Sequence, residues 1–175
     1  LKIGIDGSWP EIVWNGVYNM NKYYWRPAFT VQVGQLGETD EDNWDTVALI
    51  NKLSNSVING RPFEFTVTPL YNMPMGRIKA KKIDFNSTLS KSALAVYYAS
   101  YRHLAKMAAR DARKESKGSP LVKMGTASLI TFGGYLMLRV VEKIARKAGV
   151  DIEKAKTYGV GNMREIESWA VAEKL

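Results

Sequence analysis

From Ser87 to Ala148 the chain keeps a helical hydrophobic period, broken only at Lys117-Gly118-Ser119-Pro120. Such a stretch folds as two long helices, and each must bury its apolar residues against something. Ser87 reads as the cap of the first, which runs to about Glu115. The second extends from near Lys123 to Ala148, with Gly149 placed to end it in a left-handed turn. Asp151 and Asn162 read as caps of two short helices that follow.

Before residue 86 the character changes. Ile12-Val13-Trp14, Val17-Tyr18, Phe29 to Val33 and Phe63 to Thr68 are β-formers set among Gly, Pro and Asn, and Asn15-Gly16 predicts a tight hairpin between the first two. Met75 to Phe85 reads as a further strand carrying Lys79, Lys81 and Lys82. One helix interrupts this region, capped by Asp42 or Asn43, with Val47, Ile50, Leu53 and Val57 on one face and a stop at Asn59-Gly60. The expected fold class is α+β. A small β-rich part with one helix (1–86) precedes a mainly helical part (87–175), the two packing as one cooperative unit.

Within the helical part, apolar residues surround the second long helix almost completely: Leu129, Ile130, Phe132, Tyr135, Leu136, Leu138, Val140, Val141 and Ile144. That pattern predicts the buried central helix. Gly133-Gly134 weakens it as a helix, so the pair reads as a place where the alanine-rich preceding helix comes close.

Charge is segregated. The net charge is +8, and Arg77 to Lys117 alone holds 11 bases against 3 acids, so this one stretch carries the whole excess. A located anionic partner follows more naturally than raised solubility. With Leu89 set at 0° and 100° per residue, Leu89, Ala93, Tyr97, Tyr101, Leu104, Ala108 and Ala112 fall within about 0–140°. Lys91, Arg102, Lys106, Arg110, Arg113, Lys114 and Lys117 fall at about 200–340°, joined by His103. Solvated helix faces usually mix signs, because acid–base pairs four apart support the helix. A face of one sign repels itself unless an anion relieves it.

Trp9, Trp14, Tyr18, Tyr23, Tyr24 and Trp25 crowd a short N-terminal stretch beside Lys22 and Arg26. They suit a core, a subunit interface or base stacking; Trp9, Trp14, Tyr18 and Trp25 are the interface candidates. Glu38, Asp40, Glu41, Asp42 and Asp45 lack the glycine and terminal glutamate that a calcium loop needs, and favour the N-terminus of the following helix instead.

Catalytic machinery is hard to assemble from this chain. It has no cysteine and one histidine, which excludes disulfide scaffolds, iron–sulfur clusters, Cys/His zinc sites and cysteine catalysis. Ile3-Gly4-Ile5-Asp6-Gly7 resembles the first strand of RNase H-like nucleases, but that chemistry needs further carboxylates on separate elements, and no later acid has a spacing that marks it as one. No cofactor and no metal site is expected. Leu129 to Val141, the longest apolar run, is too short to span a bilayer, and the N-terminus has no signal-peptide pattern.

The leading expectation is a non-enzymatic, self-assembling protein of nucleocapsid, coat or packaging type, in a virion or the cytoplasm. It would contact the backbone of RNA or single-stranded DNA through Lys79, Lys81, Lys82, Lys91, Arg102, Lys106, Arg110, Arg113, Lys114 and Lys117. The alternatives are a single-strand-binding accessory protein, a tail- or pilus-type assembly subunit without nucleic acid, or a metal-carboxylate enzyme centred on Asp6.

Overall fold

The computed structural model of the chain describes residues 9–35, 37–71, 89–115 and 120–160, with side-chain placement omitted for 113–131. Its described elements, in order, are α1 (Trp9–Lys22), β1 (Ala28–Val33), α2 (Asp40–Asn55), β2 (Val57–Ile58), β3 (Arg61–Pro62), β4 (Thr66–Tyr71), α3 (Lys91–Glu115), α4 (Pro120–Lys147) and α5 (Ile152–Thr157). The architecture is α+β, with the longest helices in the C-terminal part. The strand expected at Met75 to Phe85 and the cap expected at Asn162 lie outside the described residues.

The N-terminal hairpin is replaced by a helix. Trp14, Val17 and Asn21 are buried at spacings of three and four, the period of α1. A two-stranded ribbon turning at Asn15-Gly16 would be only marginally stable in water, whereas the helix carries Trp14 and Val17 into the core. Pro10 is tolerated in the first turn, where the backbone N–H has no helical partner. The Asn-Gly hairpin of this chain lies elsewhere. Asn59 (φ 51°) and Gly60 (φ 73°) form the two-residue turn that pairs Val57 with Pro62 and Ile58 with Arg61.

β1 and β4 pair in parallel, Ala28 opposite Thr66 through Val33 opposite Tyr71, with α2 in the connection between them. The strand expected from Phe63 begins at Thr66 instead. Asn21 accounts for the difference: its Oδ1 accepts from the Glu64 N–H at 2.7 Å and its Nδ2 donates to the Glu64 carbonyl at 3.0 Å, so a side chain satisfies this backbone in place of a strand. α2 starts earlier than expected, with Thr39 as N-cap in a reciprocal capping box with Asp42, and it ends at Asn55. Val57, expected on its apolar face, is an exposed residue of β2.

α3 is the central helix, packed against α2, α4, α5 and β4. Ser90 rather than Ser87 caps it, the Ala93 N–H donating to Ser90 Oγ at 3.1 Å. From Ser92 to Ser100 almost every side chain is buried, Tyr97 alone being half-buried. The helix expected in this position was α4, and the structure makes it peripheral. Leu138, Val141 and Ala145 of α4, and Ala148 just after it, face the core, while Phe132, Tyr135, Leu136, Met137, Val140 and Ile144 point outward. α4 ends as expected: Gly149 (φ 82°) and Val150 donate to Arg146 and Ala145 in a double C-terminal turn. α5 follows with Asp151 as N-cap.

Candidate functional site

Of the ten basic residues singled out in the sequence, the structure brings Arg102, Lys106 and Arg110 together. They stand four residues apart on one side of α3, a row of about 12 Å at 1.5 Å per residue. They do not stand opposite the core, as the helical wheel predicts. All three are half-buried, and His103 beside them is one of the most buried side chains of the protein. The physical reason is that α3 is covered on more than one side, so its polar sector borders α5 and the loop before β4. Arg102 Nη1 donates to the Lys156 carbonyl at 3.0 Å, and Arg110 Nη1 to the Phe63 carbonyl at 3.4 Å.

Lys106 lies between these two guanidinium groups. Burial lowers its pKa, and Arg102 and Arg110 push it down further. Among the described residues no carboxylate forms a salt bridge with any of the three. The row is therefore a half-buried concentration of positive charge held by carbonyl dipoles.

The other candidates are dispersed. Lys91 is exposed at the start of α3, about 16 Å along the axis from Arg102, its stem against Gly149. The side chains of Arg113 and Lys114, and all of Lys79, Lys81, Lys82 and Lys117, lie outside the described residues, as does Asp6. Asp111, next to Arg110 in the helix, accepts instead from both Arg26 Nη atoms, at 2.7 and 2.8 Å.

The aromatic cluster divides. Trp14 is core: it stacks on Tyr18 with centroids 5.3 Å apart and its Nε1 donates to Ser56 Oγ at 3.4 Å, so it is withdrawn from any surface. Tyr18 is half-buried over it. Trp25 is 71% exposed, beside exposed Tyr23 and Tyr24. Trp9 is half-buried at the end of a groove of about 660 Å³ that α1, β1 and α2 enclose. Ile12 and Val13 wall this groove, Phe29, Val31 and Leu49 extend it, and Glu38 and Asp42 also line it.

Two surfaces went unseen in the sequence: this groove and the outer face of α4. The second had a signal. Arg139, Lys143 and Lys147 fall on the same side of the helix as Phe132 and Leu136, which a fully buried helix would not allow.

Among the described residues no three His, Asp or Glu side chains are grouped to hold a metal ion, and no helix is long and apolar enough to cross a membrane. Comparisons with protein-family models, curated proteins and solved structures find no match to the chain.

Proposed function

We propose that this chain is a non-enzymatic, self-assembling structural protein of nucleocapsid or coat type, contacting nucleic-acid phosphates through the basic row of α3. The observation that carries the reading is Lys106, set between Arg102 and Arg110 with no carboxylate paired to the three among the described residues. An anion at this row would offset the burial and, secondarily, the repulsion from Arg102 and Arg110 that depress the Lys106 pKa, and a phosphate accepts from guanidinium and ammonium donors alike. Arg102 and Arg110 are already held by backbone carbonyls, so the donors are positioned before any ligand arrives. Phosphate contact of this kind carries affinity and register without reading sequence. The self-assembling half of the reading rests on exposed apolar surface, at Tyr23, Tyr24 and Trp25 and along α4.

The test is oligonucleotide retention by wild type and by Lys106→Ala across a salt series. Removing one phosphate contact should lower the slope of log K against log salt by about 0.7–0.9. Arg102 and Arg110 are left in place because each also holds a carbonyl. A salt-independent affinity, or a Lys106→Ala slope equal to wild type, overturns the phosphate contact. Discrete binding with one fixed copy number on any oligonucleotide would instead favour the single-strand accessory reading.

A further inference from the structure

The outer face of α4 and the groove beside β1 are complementary in charge and alike in being apolar. Phe132, Leu136 and Val140 are 63, 53 and 47% exposed and recur every four residues. Arg139, Lys143 and Lys147 lie in the same sector of about 100°, so basic side chains interleave the apolar ones along this face. The groove of about 660 Å³ is walled by Trp9, Ile12 and Val13, and Glu38 and Asp42 also line it, each carboxylate accepting one nearby backbone N–H, from Gln35 and Thr39.

The two surfaces belong to different parts of the fold: α4 packs on α3 and α5, whereas the groove is built by α1, β1 and α2. We propose that the outer face of α4 docks into the α1–β1–α2 groove of a second copy, head to tail. Pairing of α4 with α4 would bury the same apolar side chains but set Arg139, Lys143 and Lys147 against their own counterparts. Docking into the groove sets them against carboxylates. From Phe132 to Ile144 the stripe is about 18 Å long at 1.5 Å per residue, a length that several turns of helix can lay along a strand-and-helix cleft. Because each copy then keeps one unused face of each kind, the contact propagates into an open filament or a ring rather than closing as a dimer. This surface rests on the self-assembling half of the function proposed above and is independent of Lys106.

Two variants at exposed positions test it in the absence of nucleic acid. Leu136→Glu breaks the α4 face and Ile12→Lys breaks the groove. Circular dichroism should show both folded, since each position is at least half exposed. Sedimentation should show wild type forming oligomers, and each variant alone associating at least about tenfold more weakly. An equimolar mixture of the two should give a 1:1 heterodimer and nothing larger, because one variant retains the groove and the other the helix face. Ile12→Lys dimerising by itself would overturn the proposal in favour of α4 pairing with itself. A Leu136→Glu variant that associates like wild type would overturn it by removing α4 from the interface. A wild type that stays monomeric but floats with phosphatidylserine vesicles, and loses this in Leu136→Glu, would reassign the face to a membrane surface. Oligonucleotide retention measured on the same variants separates these failures from failure of the phosphate contact, since both keep Lys106.

Discussion

The His103 ring lies flat on the Phe65 ring, with centroids 3.7 Å and planes 12° apart, while its Nε2 donates to the Phe65 carbonyl at 2.9 Å. Its Nδ1 accepts from Ser54 Oγ at 2.8 Å, and the Ile50 carbonyl, 2.7 Å from the same oxygen, is the alternative acceptor of that hydroxyl proton. One residue thus ties α3 to the loop before β4 and to α2. The contact is structural, and it removes the imidazole from the basic surface to which its sequence position assigns it.

Burial lowers the His103 pKa to about 4, with Arg110 and Lys106 acting in the same direction and the bond to the Phe65 carbonyl opposing them. The folded pKa is then below the unfolded value of about 6.5, so the unfolded chain takes up a proton first as pH falls. Stability is fully present above pH ~6.5 and is lost progressively down to pH ~4, by about 3 kcal/mol in all. Urea unfolding from pH 7.5 to 4 should show this loss in wild type and a shallower one in His103→Gln. Equal slopes would show that the imidazole is not held neutral.

The two glycines of α4 should behave differently. A Cβ on Gly134 would stand 3.7 Å from Ala105 Cα and Ala108 Cβ, ordinary contact, while one on Gly133 meets nothing within 4 Å. Gly133→Ala should therefore raise stability by up to about 1 kcal/mol, the helix-propensity gain alone. Gly134→Leu should lower it by about 1–3 kcal/mol through overpacking against α3. Thermal unfolding of both variants decides this, and a lowered Tm for Gly133→Ala would contradict its solvent-facing placement.

Gly159 closes the described fold against α2. It has φ 74°, and a Cβ there would fall 2.4 Å from Ala48 Cβ and 2.7 Å from Ala48 Cα. Next to it, Asn51 Nδ2 donates to the carbonyls of Ala155 and Tyr158 at 2.9 and 3.0 Å. Gly37 has a similar φ of 82° but open space around it. Gly37→Ala should cost only the left-handed backbone penalty, about 1–2 kcal/mol. Gly159→Ala adds a backbone clash and should cost at least about 1 kcal/mol more. Equal denaturation midpoints for the two would show that α5 is not docked on Ala48.

What the sequence made legible follows from range. The α+β class, α2, Gly149 and the Asp151 cap depend on local chemistry, and the structure has each of them. The Gly134 contact with the alanine face of α3 was legible too, because small residues on both partners signal close approach. Trp9–Lys22 was misread because Asn15-Gly16 is a strong local turn signal, and only the distant partners of Trp14 and Asn21, Ser56 and Glu64, decide for helix. The exchange of α3 and α4 as central helix has a similar cause. Apolar residues all round a helix mark burial only when neighbours surround it, and the alanines and serines of α3 attract those neighbours at closer range. The row Arg102, Lys106 and Arg110 was visible as spacing, but its half-burial depends on α5 and on the Phe63 carbonyl.

Trp25 is the aromatic through which assembly on nucleic acid can be probed without disturbing the fold, because it is 71% exposed while Trp14 is 2% exposed. Trp14→Ala would empty a core site and cost about 3–5 kcal/mol, so its effect on assembly would be confounded with unfolding. If phosphate neutralises the row of α3 and aligns copies on one strand, oligomers should lengthen in proportion to oligonucleotide length. Trp25→Ala should then keep the melting temperature and the single-copy affinity while lowering the number of copies gathered on a long oligonucleotide, an interface tryptophan often contributing about 2 kcal/mol or more. Sedimentation with a short and a long oligonucleotide reads both quantities. One copy number at both lengths would reject assembly along the strand, and an unchanged copy number in Trp25→Ala would place the copy-to-copy contact away from the α1–β1 turn.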